Sequence, residues 1–127
     1  EEMMEILDLL GLADVADQPA GSLSYGKQKN LEIARAVATG PKLLLLDEPA
    51  SGLNTQELEE LSRRIVKIRD QGITIILIEH KMDVVMAISE KIMVLNFGEE
   101  IAFGTPEEIR SNPAVIEAYL GKEDEDE

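Results

Sequence analysis

The spacing of apolar residues along this chain predicts an alternation of helices and strands. Residues 3–10 place methionines, leucines and an isoleucine at helical spacing, and Gly11 would end that helix. Small and polar residues follow, and Ser24 can then cap a second helix that extends to about Thr39. The first third of the chain is therefore predicted to be mainly helical.

Two mostly apolar segments, residues 43–47 and 73–78, predict strands. Neither run alternates with polar residues, so we expect both strands to be buried on both faces. Between them, Asn54 and Glu57 resemble a capping box that starts a helix, and Gly72 would end it. A strand, a helix and a second strand form a βαβ unit, which predicts a parallel sheet.

The last third of the chain predicts a hairpin between helices. In order, the pattern indicates a short helix (Met82–Ile88), two strands (Ile92–Leu95 and Ile101–Phe103) around the turn Asn96–Glu99, a helix capped by Thr105, and a final helix from Asn112-Pro113 to Gly121. The acidic tail, residues 123–127, has no apolar side chain to bury, so we expect it to be disordered.

The composition is that of one small domain with an aliphatic core and an acidic surface. The 127 residues are 44% hydrophobic but only 3% aromatic. A net charge of −14 argues against binding nucleic acid or anionic lipid through bulk electrostatics. The absence of cysteine excludes a disulfide framework and thiolate metal sites, and it fits a reducing compartment.

Polar side chains follow both predicted strands. Asp47 and Glu48 end the first strand, where one carboxylate could hold Mg²⁺ and the next could orient an attacking water. The alternative is that both acids are solvated in a loop. His80 follows the second strand and could contact a transferring phosphate, or it could be an exposed loop histidine that pairs with Glu79.

The segment Leu23–Gln28 places a serine and a glycine at a predicted helix start. Free backbone N–H groups and the positive end of the helix dipole suit a phosphate there, although serine is also a routine cap. Gly21, Gly26 and Lys27 also match part of a P-loop. Gln28 replaces the Ser or Thr that would ligate Mg²⁺, and no apolar strand precedes the loop, which argues against a P-loop.

Together, the order and spacing of these motifs resemble the ATPase subunits of ABC transporters over nearly all of residues 1–122. Residues 23–28 are similar to the family's signature motif, with Tyr25 in place of the usual first glycine and Lys27 in place of the usual glutamine. Residues 43–47 resemble the Walker B strand. Residues 51–54 resemble the D-loop, whose last position is more commonly aspartate than asparagine.

Finer details resemble the branched-chain amino acid importer ATPases, notably residues 31–36, 78–82 and 118–121. The related urea importers look almost the same, so the resemblance leaves the solute open. In this family the Walker A loop, the adenine-stacking aromatic and the Q-loop glutamine precede the signature, and nothing before Ser22 matches them. The resemblance therefore implies the carboxyl-terminal half of one subunit.

The implied fold class is α/β, with part of a P-loop NTPase-type parallel sheet and flanking helices, no Walker A strand, and a carboxyl-terminal hairpin and helices. Residues 1–40 would end the helical subdomain that carries the signature, and residues 41–104 would form the second part of the ATPase core. Residues 105–122 would form carboxyl-terminal helices, followed by the tail. Without its Walker A neighbour the sheet would expose apolar strands, so we expect this chain to be partnered by its missing half, to be domain-swapped, or to be the ordered part of a longer chain.

The resemblance implies ATP and Mg²⁺ as cofactors and a head-to-tail pair of ATPase subunits, identical or different. Glu48 would be the catalytic glutamate, His80 would contact the γ-phosphate, and Asp47 would hold Mg²⁺ through water. The residues that would bind the partner subunit's nucleotide are Ser24, Tyr25, Gly26 and Lys27. The D-loop residues at the dimer interface would be Ser51, Gly52, Leu53 and Asn54.

The implied function is ATP-driven import of a small solute, with branched-chain amino acids expected. The subunit would bind membrane-spanning permease subunits at the cytoplasmic face of the cell membrane, without nucleic acid. The parent subunit would hydrolyse ATP, but this chain alone would be inactive because nothing in it holds the α- and β-phosphates. Two alternatives are a non-transport ATPase of the same superfamily and an interaction module that completes a partner's ATP site.

Overall fold

The computed structural model describes residues 2–120, which form two compact units. The first unit ends at Val84 and the second begins at Val85. The elements are, in chain order, α1 (Glu2–Leu9), α2 (Tyr25–Ala38), β1 (Leu43–Asp47), α3 (Thr55–Asp70), β2 (Thr74–Ile78), α4 (Met82–Ile88), β3 (Ile92–Asn96), β4 (Glu99–Gly104), α5 (Pro106–Arg110) and α6 (Pro113–Val115). Short 3₁₀ turns lie at Ala13–Val15 and Ala20–Ser22, and a π-helical turn, Ile116–Leu120, follows α6.

The first unit contains the predicted βαβ unit. β1 and β2 pair in parallel, with Asp47 opposite Ile78 at their carboxyl ends. The connecting helix α3 begins with the predicted capping box: the Asn54 side chain accepts from the Glu57 N–H at 2.8 Å, and the Glu57 carboxylate accepts from the Asn54 N–H at 3.2 Å. Because the strands run in the same direction, the residues that follow each of them lie at one edge of the sheet.

Only one face of this sheet is well buried among the described residues. Leu44 and Leu46 are 4% and 7% exposed, whereas Leu45 is 66% and Ile76 is 50% exposed. The prediction that both strands are buried on both faces is therefore wrong for residues 2–120, because nothing in that range fully covers the second face. We call that face the apolar sheet face; it consists of Leu43, Leu45, Ile76 and Ile78.

The helices of the first unit contribute an aliphatic core, as the composition predicts. Their buried residues lie at helical spacing on α2 and α3: Ile33, Ala34, Val37, Leu61, Ile65 and Ile68. α2 begins one residue after Ser24, as the predicted cap requires, and α3 is 16 residues long. The core thus fixes the two helices whose first turns carry the signature-like segment and the capping box.

The second unit contains the predicted hairpin. β3 and β4 are antiparallel, and Phe97 and Gly98 connect them with φ values of 51° and 78°. Two successive positive φ values are what a two-residue type I′ turn requires. The next helix starts as predicted, because the Thr105 side chain accepts from the Glu108 N–H and Pro106 is in the first turn.

The end of the second unit differs from the single helix that the sequence predicts. Asn112 caps α6 as predicted, but α6 ends at Val115. The π-helical turn Ile116–Leu120 follows it directly. The Tyr119 hydroxyl donates to the Leu95 carbonyl, which attaches that wider turn to β3. The predicted helix end at Gly121 and the acidic tail lie outside the described residues.

Candidate functional site

Glu48 and His80 contact each other at the carboxyl ends of the two parallel strands. His80 Nδ1 lies 2.9 Å from Glu48 Oε1. The Glu48 side chain is 51% exposed and the His80 side chain is 64% exposed, so both groups remain accessible. A half-exposed carboxylate with one oxygen held by an imidazole can orient a water molecule.

The backbone at Glu48 adopts a conformation that is rare for a residue with a side chain. Its φ is 48°, in the left-handed region, which costs about 1–2 kcal/mol for a non-glycine residue. The Glu48 N–H donates to the Ile78 carbonyl at 2.7 Å, and the Ser51 N–H donates to the Glu48 carbonyl at 3.2 Å. Pro49 therefore occupies the second position of a four-residue turn, where proline is favoured.

Asp47 is the exposed last residue of β1. Within residues 2–120, no three acidic or histidine side chains cluster closely enough to hold a metal ion by themselves. Protein sites for Mg²⁺ commonly supply one or two carboxylates, and phosphate and water oxygens complete the shell. The oxygen donors of Asp47 and Glu48 therefore fit a nucleotide-bound Mg²⁺, but this part of the chain does not form a complete cage for a metal.

Ser24 caps α2. Its Oγ accepts from the Lys27 N–H at 3.3 Å, so the first turn of this 14-residue helix begins at a serine hydroxyl, as predicted. The Lys27 ammonium lies 3.6 Å from the exposed Asp14 carboxylate. The 3₁₀ turn Ala20–Ser22 precedes this segment in place of a strand, so a P-loop is excluded.

The first turn of α2 packs against the loop at residues 51–54, a contact that the sequence analysis missed. The Tyr25 hydroxyl donates to the Ser51 carbonyl at 3.2 Å. Gly52, with φ of 78°, lies so close to the Tyr25 ring that an added Cβ would come within 2.8 Å of a ring carbon. Similarly, a Cβ on Gly26 would clash with a carboxylate oxygen of Glu57, which lies in the first turn of α3. Two glycines thus allow these segments to approach closely.

A cleft of about 250 Å³ lies where α2 and α3 begin. Its lining includes Ser24, Gly26, Lys27 and Leu53, while Asn54 caps α3 next to it. Asp47, Glu48 and His80 do not line this cleft. The structure therefore brings the sequence-predicted residues together in two groups: an acid–histidine group at the strand ends, and a serine-led helix start joined to the loop at residues 51–54.

None of the helices described between residues 2 and 120 is both long and apolar enough to cross a lipid bilayer.

Two family models match the chain. Residues 1–51 match the model described as ABC transporter, and residues 99–125 match the one described as branched-chain amino acid ATP-binding cassette transporter. The chain is 50% identical to the high-affinity branched-chain amino acid transport ATP-binding protein BraF of Pseudomonas aeruginosa, with 91% of the chain and 46% of BraF covered. It is 51% identical to the corresponding protein LivG of Escherichia coli K12, with the same coverage. The chain thus spans about half the length of these relatives.

Solved structures agree with the sequence comparison. An ATP-binding cassette of an ABC transporter in its ADP conformation is 34% identical, with a TM-score of 0.83 over 95% of this chain and 51% of that one. A nucleotide-free ATP-binding cassette from an ABC transporter is 35% identical, with a TM-score of 0.82 over 94% of this chain and 50% of that one. These neighbours support the predicted α/β class with a parallel sheet and flanking helices.

Proposed function

Because the chain belongs to the ABC transporter ATPase family, we propose that it is the part of an ATP-binding subunit that carries the water-activating residues and the signature segment. The subunit would hydrolyse ATP to drive solute import. The observation that carries this proposal is the contact between Glu48 and His80 at the ends of two adjacent parallel strands. The Glu48 and His80 side chains are mostly solvent-exposed, so neither strand needs them for its own packing.

The acid–histidine group would act on nucleotide held by the same subunit. When bound, Mg-ATP supplies the transferable phosphoryl group and much of the positive charge that neutralises it. Asp47 would contact the Mg²⁺ through water. Glu48 would accept a hydrogen bond from the attacking water through the carboxylate oxygen that does not face His80. His80 would hold Glu48 through Nδ1 and leave Nε2 directed to the γ-phosphate.

The serine-led helix start would act on nucleotide held by a second ATPase subunit. The Ser24 hydroxyl accepts from the Lys27 N–H, so its own hydrogen remains to donate to a phosphate oxygen. The α2 dipole and the N–H groups of its first turn would favour the same negative charge. Tyr25, Gly26 and Lys27 belong to this turn. The contact of Tyr25 with Ser51 and Gly52 would place the loop at residues 51–54 at the same subunit interface.

Branched-chain amino acids are the solute class that we assign. The support is the match of residues 99–125 to a family model described for those transporters, together with the identity to BraF and LivG. The urea importers remain the competing assignment from sequence. A net charge of −14 disfavours the non-transport alternatives that bind nucleic acid. The subunit would work at the cytoplasmic side of the membrane, attached to permease subunits.

The apolar sheet face points to a further segment that completes the fold. Leu43, Leu45, Ile76 and Ile78 are each at least half exposed, and they form one contiguous face of two paired strands. Exposed apolar sheets are interaction sites or aggregation hazards. Because the relatives are about twice as long, we assign the occupant of this face to the remaining half of the subunit, which would also carry the residues that hold the α- and β-phosphates.

The test is to assay ATP hydrolysis by the purified chain, and by the same chain combined with the remaining half of the subunit. The proposal predicts no Mg²⁺-dependent turnover from the chain alone and turnover from the combination. Nucleotide hydrolysis by the isolated chain would overturn it. A combination that assembles but never hydrolyses ATP would favour the interaction-module alternative.

A further inference from the structure

We infer that Glu79 is a positioning residue: its carboxylate links the two loops that carry Glu48 and His80 and so fixes the geometry of that pair. This inference rests on the proposed function. The Glu79 side chain is 0% exposed, although its neighbours in the site are mostly open to solvent. The partial exposure of the residue as a whole therefore comes from its backbone.

The Glu79 carboxylate accepts hydrogen bonds from both loops. Its Oε2 accepts from the Ala50 N–H at 3.1 Å, on the loop that follows β1. Its Oε1 accepts from the His80 N–H at 3.0 Å and from the Lys81 N–H at 3.4 Å, on the loop that follows β2. A buried carboxylate must be satisfied by donors, and here backbone groups from two separate segments satisfy it.

The link to Ala50 bears directly on Glu48. Ala50 is fully buried and lies in the four-residue turn that starts at Glu48, whose left-handed φ needs support from its surroundings. The ladder bond from the Glu48 N–H to the Ile78 carbonyl and the turn bond from the Ser51 N–H to the Glu48 carbonyl are two supports, and the bond from the Ala50 N–H to the Glu79 carboxylate is a third. Without the bond from Ala50 to Glu79, the backbone of the turn loses a hydrogen bond to the loop that follows β2.

The link to His80 operates at two atoms. The backbone N–H donates to Glu79 Oε1, and the ring Nδ1 lies 3.5 Å from the same oxygen while it is 2.9 Å from Glu48 Oε1. The imidazole is therefore held between two carboxylates, one buried and one exposed. Glu79 is engaged by backbone donors and enclosed, so it would act through Glu48 and His80 rather than on substrate itself.

The test is Glu79→Gln in the complete subunit, with Glu59→Gln as the matched control. Glutamine keeps the size of the side chain but has one acceptor oxygen, so its NH₂ group would face a backbone donor on one of the two loops. Glu59 lies exposed on α3, outside both groups of site residues. We expect Glu79→Gln to lower kcat about 10- to 100-fold, as loss of positioning does, with KM for ATP within about twofold of normal. Glu59→Gln should change neither value.

A second readout needs no turnover. In the nucleotide-free subunit, the amide that faces the glutamine NH₂ group, at Ala50 or at His80, should exchange with solvent at least about tenfold faster in Glu79→Gln than in the parent protein. In the parent protein, NMR should detect scalar coupling across the hydrogen bond from the Ala50 nitrogen to the Glu79 carboxyl carbon. That measurement remains decisive even if Glu79→Gln fails to fold.

The outcomes separate this inference from the proposed function. Normal kcat in Glu79→Gln, unchanged amide exchange, or no coupling between Ala50 and Glu79 in the parent protein would each overturn the positioning role. If Glu79→Gln has a lower unfolding midpoint but a normal kcat per folded molecule, Glu79 contributes to stability and not to the geometry of the site. If Glu48→Gln lowers kcat about 10²-fold or more while Glu79→Gln leaves kcat unchanged, only this inference fails. If Glu48→Gln turns over normally, the proposed function fails.

Discussion

Gly52→Ala tests the contact that joins the serine-led helix start to the loop at residues 51–54. At this position the backbone has φ of 78°, which an alanine adopts at a cost of about 1–2 kcal/mol. The added Cβ would also lie 2.8 Å from a carbon of the Tyr25 ring, well inside normal contact distance. If the Tyr25 ring stays in place, the overpacked contact costs about 1–3 kcal/mol of stability. The alternative is that the ring moves away from the added Cβ.

The exposure of Tyr25 decides how large the steric cost of the added Cβ can be. The residue is 53% exposed, so its ring can swing outward, which limits the steric cost but breaks the hydroxyl bond to the Ser51 carbonyl. A hydrogen bond of this kind contributes about 0.5–1.5 kcal/mol, with the lower end expected at an exposed site. We therefore expect Gly52→Ala to lower the free energy of unfolding by about 1 kcal/mol beyond the cost of placing an alanine in the left-handed region.

Gly40→Ala is the matched control. Gly40 has φ of 69°, and an added Cβ would meet no atom within 4 Å, so this variant carries the backbone cost without the ring contact. The assay is urea denaturation of the complete subunit, together with ATP hydrolysis. Gly52→Ala should lose more stability than Gly40→Ala and should also lose kcat, whereas Gly40→Ala should keep its kcat.

A double-mutant cycle completes the test. In a Tyr25→Ala background there is no ring for the Cβ to meet, so the extra cost of Gly52→Ala over Gly40→Ala should disappear. Equal losses of stability from the two glycine variants in the parent protein would refute the reasoning, because they would mean that the Tyr25 ring does not pack on Gly52.

Three further changes give distinct outcomes. Glu48→Gln in the complete subunit should lower kcat about 10²-fold or more and leave an ATP-bound dimer that sedimentation detects, so normal turnover would remove Glu48 from its role. Ser24→Ala should cost about 1 kcal/mol in urea denaturation through the lost cap and should weaken ATP-dependent dimerisation, whereas Thr105→Ala, which removes a comparable cap on α5, should leave dimerisation intact. Leu45→Glu should prevent copurification of this chain with the remaining half of the subunit, because it places a charge on the apolar sheet face, whereas Lys67→Glu on the exposed surface of α3 should not. If the Leu45→Glu variant still copurifies with the remaining half of the subunit, a different segment or protein must cover the apolar sheet face.

The sequence predicted those elements whose signals are local. The four leucines and Asp47 gave both bounds of β1, and the pairing of Asn54 with Glu57 gave the capping box of α3. Such features depend on residues within one turn or one strand. The apolar run could not reveal that one sheet face is open, because a side-chain pattern records what a strand can bury and not whether another segment covers it.

The contacts between segments were harder to predict, although Glu79 carried a usable signal. The bond from Tyr25 to Ser51 joins residues far apart in sequence, and only the glycines at the contact hint at a close approach. Alternation along β2 places residue 79 on the opposite face from Ile78, which is exposed. A carboxylate at that position is predicted to point inward, so it needs donors there. The side-chain pattern near His80 alone predicts only that Glu79 could pair with that histidine.

The central claim is that Glu48 and Ser24 of one subunit serve two different nucleotides. It is tested most directly by single-turnover ATP hydrolysis in covalently linked tandem dimers of the complete subunit, with Glu48→Gln and Ser24→Arg placed on the same or on different subunits. If Ser24 acts on the partner's nucleotide, substitutions on different subunits damage the same ATP site and leave the other site intact. About half of the bound ATP is then hydrolysed, because one of the two sites works. Lesions on the same subunit then damage both sites. More hydrolysis from the dimer with both lesions on one subunit would contradict the account.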